Sequence, residues 1–103
     1  MSEKIWSDEA WDDYLYWQTQ DKKTIRRINE LIKDIDRSGP MKGIGKPEPL
    51  KKNLQGYFSR RIDDTNRLVY KMEVGRIYIA QCRTHYFPNQ HKTYRRKHTE
   101  TCV

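Results

Sequence analysis

The stretch that decides the fold runs from Tyr57 to Tyr86 and reads YFSRRIDDTNRLVYKMEVGRIYIAQCRTHY. Its first residues alternate, with Phe58, Arg60 and Ile62 on one side and Tyr57, Ser59 and Arg61 on the other. Asp63-Asp64-Thr65-Asn66 supplies turn chemistry. Arg67 to Met72 alternates again, with Leu68, Tyr70 and Met72 facing one way and Arg67, Val69 and Lys71 the other. Val74-Gly75 makes a tight hairpin, and Arg76 to Tyr86 reads as a third strand. Three consecutive antiparallel strands follow. They carry Arg60, Arg61, Arg67, Arg83, His85 and Tyr86, and Glu73 is their only acid after Asp64. Arg61 and Arg67 are expected on one exposed face, which makes that face a platform for a phosphate.

Upstream, the period changes from two to three and four. Lys4-Ile5-Trp6 is a short candidate strand, and Ser7 follows as an N-cap, with Asp8 and Glu9 where the helix dipole favours negative charge. Ala10, Trp11, Tyr14, Leu15 and Gln18 recur at helical spacing, and Trp17 joins Tyr14 in a second aromatic seam; these rings read as core. Asp21 caps a second helix to about Arg37, with Ile25, Ile28, Leu31, Ile32 and Ile35 as its buried stripe. The short link between the helices implies an antiparallel pair. Ser38-Gly39-Pro40 ends it, since Gly accepts the left-handed position and Pro cannot continue the helix. The pattern β-α-α-β-β-β predicts an α+β domain, two helices packed on one face of a small antiparallel sheet.

Between helices and sheet lies GPMKGIGKPEP, residues 39–49, the one stretch rich in Gly and Pro. Glu48 sits there between Pro47 and Pro49, which stiffen the backbone on both sides. Leu50, Leu54 and the Gly56 stop suggest a helical turn before the strands.

At 103 residues the chain is one domain with one modest core. Only 35% of its residues are hydrophobic, but 12% are aromatic, so a few large rings can carry much of the burial. No apolar run approaches the roughly 18 residues of a membrane span, and no signal-peptide core is present; a cytoplasmic location is expected. Cys82 and Cys102 make no disulfide framework and read as free thiols. The net charge of +7 is unevenly placed: −3 over residues 1–36, +7 over 37–86 and +3 over 87–103. A basic second half attracts polyanions, with nucleic acid the natural partner.

Cleaving RNA by internal attack needs a base for the ribose 2′-OH, a cation for the non-bridging oxygens and an acid for the departing 5′-oxygen. Glu48 is the sole acid between Asp36 and Asp63 and has Lys46, Lys51 and Lys52 around it. Arg67 offers a planar fork suited to phosphate, and His85 can give a proton near neutrality. Each has an ordinary alternative: a solvated loop carboxylate, an arginine paired with Asp63 or Asp64, an idle exposed histidine. Cys82, His85, His91, His98 and Cys102 fit no standard zinc spacing, and no nucleotide-binding Gly-rich loop opens a helix. Neither metal nor cofactor is therefore expected.

The motifs are more specific than the composition. Ile5-Trp6-Ser7, WDDYLYWQ (Trp11 to Gln18), INELIKD (Ile28 to Asp34), GKPEPLK (Gly45 to Lys51), SRRI (Ser59 to Ile62), RLVY (Arg67 to Tyr70) and CR-x-HY (Cys82 to Tyr86) resemble the YoeB/Txe toxins. That family lies within the RelE superfamily of type II toxin–antitoxin systems. The resemblance implies a RelE-like fold and a metal-independent endoribonuclease that cuts mRNA in the ribosomal A site, leaving a 2′,3′-cyclic phosphate and a 5′-OH. By motif, Glu48 would be the general base, Arg67 the transition-state stabiliser, His85 the general acid and Tyr86 a residue that orients substrate. Lys51 and Arg61 would bind RNA or phosphate. Also implied are a YefM-like antitoxin, homodimers or toxin–antitoxin hetero-oligomers, and an operator bound only through the antitoxin in a self-repressing complex. A gyrase-inhibiting or merely antitoxin-binding module of the same superfamily is the alternative reading.

The family pattern stops near Tyr86. Residues 1–86 are therefore read as the toxin domain and residues 87–103 as a basic, disordered or loosely docked extension. That tail could add contacts to RNA or obstruct His85 and Tyr86.

Overall fold

A computed structural model describes residues 2–84, together with the backbone of residues 94–96. A first strand, β1 (Glu3–Ser7), leads straight into α1 (Asp8–Gln20), and one residue separates α1 from α2 (Lys22–Ser38). Both caps are those the sequence indicates. Ser7 is extended, and its Oγ accepts the Ala10 N–H at 2.9 Å while donating to the Ala80 carbonyl at 2.7 Å. The Asp21 carboxylate accepts from the Lys23 N–H and the Thr24 hydroxyl. Gly39 closes α2 at φ +90°, its N–H on the Ile35 carbonyl.

The remaining strands are β2 (Glu48–Pro49), β3 (Phe58–Arg61), β4 (Arg67–Glu73), β5 (Arg76–Gln81) and β6 (Tyr94–Arg96), with a short 3₁₀ turn at Lys52–Leu54. They form one six-stranded sheet in the order β2-β3-β4-β5-β1-β6. The α+β layering follows the sequence pattern, but the sheet is mixed, because β1 runs parallel to β5. Tight connections force β3, β4 and β5 to alternate in direction; β1 has no hairpin to a sheet neighbour and is free of that constraint. The last long strand ends at Gln81, short of the expected Tyr86. Glu48 lies on a strand and not in a loop: its two-residue edge segment pairs with β3, and an edge tolerates the flanking prolines.

Of residues 87–103, only Tyr94–Arg96 is described, antiparallel to β1. At these three residues the tail is a strand, since the outer side of β1 is an edge that a strand can satisfy. The expected disorder of the remainder lies outside the described residues.

The helices cover one face. Trp6, Tyr14, Ile28, Leu31, Ile35, Leu68, Tyr70, Ile77 and Ile79 form the main core, with Trp11, Trp17, Ile25 and Phe58 packed at its edge. The α2 stripe is the expected one. Leu15, grouped with the α1 core positions, is instead exposed at 38%. On the opposite face Leu50 and Leu54 pack over Val69 and Ala80.

Arg60 departs from the sequence reading most. Expected among the arginines that the sheet presents, it is fully buried on the helix side. Its Nη1 meets the Asp34 carboxylate at 2.6 Å and the Ile44 carbonyl at 3.0 Å. Nη2 donates to the carbonyls of Gly39 and Lys42, and Nε to the Tyr70 hydroxyl. Every donor-bearing nitrogen of the guanidinium is thus used, which is what allows a full charge to be buried. The result is a strap: residues 39–44 are held onto β3 and α2 just before the chain reaches Glu48.

Candidate active site

Residues directly opposed across an antiparallel pair project from the same face, as do residues two apart on one strand. Glu48 opposes Ser59, Ser59 and Arg61 are two apart, and Arg61 opposes Arg67. Glu48, Arg61 and Arg67 therefore share the sheet face turned away from the helices. Two strands across and two residues along separate Glu48 from Arg67, about 12 Å between backbones, so two long side chains can bracket a phosphate between them. Glu48 and Arg61 are exposed and Arg67 is half-buried. Two arginines directly opposed repel each other, a cost that an anion between them would remove.

The Arg67 guanidinium is anchored on the turn that precedes it. Its Nη1 donates to the Asp63 carbonyl at 2.7 Å and the Asn66 carbonyl at 3.1 Å. The β3–β4 turn is built on the Asp63 carboxylate, which accepts from the N–H groups of Thr65 and Asn66 and from the Asn66 side-chain amide. Burial alone would push this carboxyl up. The hydrogen bonds from Asn66 and Thr65, with the nearby Arg67 charge, outweigh it and hold Asp63 below the usual carboxylate range.

The chain after β5 is pinned residue by residue. Trp17 Nε1 donates to the Cys82 carbonyl at 2.9 Å, and the Asp13 carboxylate accepts the Cys82 N–H. The Arg83 guanidinium lies 3.7 Å from the centroid of the Tyr16 ring. Thr84, at φ +60°, gives its N–H to Asn66 Oδ1 at 2.6 Å and accepts the Arg67 N–H at 3.1 Å. His85 and Tyr86 follow directly in sequence and lie outside the described residues. Lys51, exposed, precedes the 3₁₀ turn that packs over the middle of this face.

The structure thus groups Glu48, Arg61 and Arg67 and places Lys51 on the segment beside them. It adds residues to which the sequence reading gave no part in the site: Asp13, Tyr16, Trp17, Asp63 and Asn66. Only the D-D-T-N turn signal hinted at any of these. Cys82 is buried, which pushes its thiol well up, with the Asp13 charge adding to the effect, so it is no nucleophile. Among the described residues no group of three or more His, Cys, Asp or Glu could hold a metal ion; His85, His91, His98 and Cys102 lie outside them.

With this geometry in view, the comparisons are specific. A family model for the YoeB-like toxin of the bacterial type II toxin-antitoxin system matches residues 6–86. The chain belongs to the YoeB toxins. It is 58% identical over 82 residues to toxin YoeB of Escherichia coli K12, covering 80% of this chain and 96% of that protein. Among solved structures it is similar to the heterotetrameric YoeB–YefM complex of Staphylococcus aureus (TM-score 0.79, 51% identity, 84% of this chain and 99% of that one). A YoeB dimer from the same organism gives a TM-score of 0.79 at 52% identity, over 82% of this chain and 98% of that one. As a YoeB toxin, the chain is the toxin component of a type II toxin–antitoxin system. No helix among the described residues is long and apolar enough to cross a membrane.

Proposed function

We propose that this YoeB toxin is a ribosome-dependent endoribonuclease that cuts mRNA in the A site, with residues 1–86 as the toxin domain and residues 87–103 as an appendage to it. The observation that carries the reading is the shared sheet face of Glu48, Arg61 and Arg67, set by the β2–β3 and β3–β4 registers. Glu48 takes the proton of a ribose 2′-OH, and the 2′-oxygen attacks the adjacent phosphorus. Arg67, with its guanidinium fixed on the Asp63 and Asn66 carbonyls, meets the charge that develops on the non-bridging oxygens. His85 protonates the 5′-oxygen as the P–O5′ bond breaks, and Tyr86 orients the nucleotide. A 2′,3′-cyclic phosphate and a 5′-OH result. Arg61 and Lys51 hold neighbouring phosphates. The chemistry is assigned to side chains and asks for no metal or cofactor.

The assembly of S. aureus YoeB with YefM, and that protein's dimer, support a YefM-like antitoxin and a homodimer or toxin–antitoxin hetero-oligomer here as well. In that complex the antitoxin would contact operator DNA and repress the operon. The toxin would act in the cytoplasm on ribosome-bound mRNA. Mapping mRNA ends after induction tests the enzymatic reading: cuts inside codons that vanish when translation is blocked are expected. An unbroken message alongside arrested growth would favour a non-catalytic inhibitor instead.

A further inference from the structure

On the same sheet face, beyond the arginine pair, stands a row of three side chains, two from strands and one from the residue before a third. Lys71 on β4 opposes Tyr78 on β5, and the Phe58–Tyr70 register places Tyr57, one residue before β3, on its other side. The Lys71 Nζ lies 5.3 Å from the Tyr57 ring centroid and 4.9 Å from that of Tyr78. All three members of the row are half-buried. Lys71 lies four positions after Arg67 on β4, about 13 Å along the strand. Between them, Leu50 and Leu54 pack on Val69 and Ala80 and bring the exposed Lys51 and Lys52 over the middle of the face.

A lysine between two tyrosines can serve packing alone, each cation–π contact being modest at the surface. Its position says more. Arg61 and Arg67, Lys51 and Lys52, and then Lys71 form a cationic path across one face of a chain with net charge +7, and this path ends in two rings steadied by the cation between them. Single-stranded nucleic acid is held in this way, with phosphates tracked by cations and bases stacked on rings. We propose that Tyr57, Lys71 and Tyr78 form an RNA subsite that takes the single-stranded segment flanking the cleaved bond. The proposal rests on the ribonuclease reading and extends it away from the reacting phosphate.

Binding can be separated from cleavage by using a fluorescein-labelled, fully 2′-O-methylated single-stranded oligonucleotide, which has no 2′-OH to attack. Anisotropy titrations at several salt concentrations would compare the full chain with Lys71→Ala, Lys71→Arg and Tyr78→Leu, each checked for an unchanged melting temperature. Lys71→Ala is expected to weaken binding about 3–10-fold and to lower the salt slope by about 0.7, and Lys71→Arg to retain both. Tyr78→Leu should weaken binding about tenfold. Unchanged affinity and slope in Lys71→Ala and Tyr78→Leu would overturn the proposal even if the wild-type protein cleaves translated message. Loss of antitoxin binding with RNA binding intact would also overturn it, reassigning the row to a protein partner. Failure of the wild-type protein to cleave translated message would instead remove the ribonuclease reading beneath it.

Discussion

Asn66 Oδ1 accepts the Thr84 N–H at 2.6 Å, tying the β3–β4 turn to the residue that precedes His85. The same asparagine is fixed from behind by Asp63 through both its backbone N–H and its side-chain amide. Since Arg67 also rests on the Asp63 and Asn66 carbonyls, one turn governs both the arginine and the approach to the histidine. Replacing Asn66 by Ala should lower kcat about 10–100-fold with KM little changed, because misplacement of a reacting group acts on the chemical step. The accompanying sign is faster hydrogen exchange at the Thr84 amide. Full activity in Asn66→Ala would show that the turn does not position the site.

The buried Asp34–Arg60 pair sets the acid limit of the fold. The hydrogen bond from Arg60 comes first, then that from the Ile44 N–H, and together they hold the Asp34 carboxyl at about 2, against 3.8 for a free one. A lowered native value means that the stabilisation is complete above pH 3.8 and is lost as pH falls towards 2. Thermal melts across that window should show a steep fall in Tm that Asp34→Asn makes shallower. At neutral pH Asp34→Asn should itself destabilise by about 3–5 kcal/mol, since it leaves the Arg60 charge buried without its counter-ion.

Gly43 has no room for a side chain beside that pair. Its φ is +111°, and a Cβ there would land on the Asp34 carboxylate, with Arg60 Nη1 3.2 Å away. Gly43→Ala therefore has to displace the ion pair as well as strain the backbone, and a loss of about 2–4 kcal/mol is expected by denaturant titration. Gly75, also at positive φ (+75°), has open space around its Cβ position, so Gly75→Ala should cost only backbone strain, about 1 kcal/mol.

Cys82 is expected to be silent to thiol reagents in the native state. It is fully buried, its thiol is pushed well up and its Sγ faces the Ala10 carbonyl at 3.6 Å. Alkylation followed by peptide mass analysis should find Cys82 modified only under unfolding conditions. Rapid native modification would mean that the end of β5 opens away from α1.

These residues also show how far the sequence could be read. Ser7, Asp21 and Gly39 act locally, within a few residues of the ends they cap, so their roles are visible in the chain itself. The α2 stripe and the strand alternation follow from periodicity and led to the correct layering. Arg60 escaped because its burial depends on Asp34, in another element 26 residues away, and on four carbonyl and hydroxyl acceptors brought in by folding. The direction of β1 escaped because no short connection fixes it. The Glu48–Ser59 pairing was hidden by prolines that ordinarily argue against a strand. Motif resemblance named Glu48, Arg61 and Arg67, but it gave no hint that Asp63 and Asn66 hold the arginine. Of the helix residues that pin Cys82 and Arg83, Trp17 looked like ordinary core, and Asp13 and Tyr16 carried no local signal.

The central claim is that Glu48 and Arg67, brought to one face by the β2–β3–β4 registers, carry out cleavage of ribosome-bound RNA. Its most direct test is single-turnover cleavage of a message held in the ribosomal A site by the wild-type protein, Glu48→Ala and Arg67→Ala, with each variant's fold verified by its melting temperature. The expected result is a cut bearing a 2′,3′-cyclic phosphate for the wild-type protein and a rate at least about 100-fold lower for each variant. Wild-type rates in both folded variants, or a cut that leaves a 3′-OH, would contradict the account.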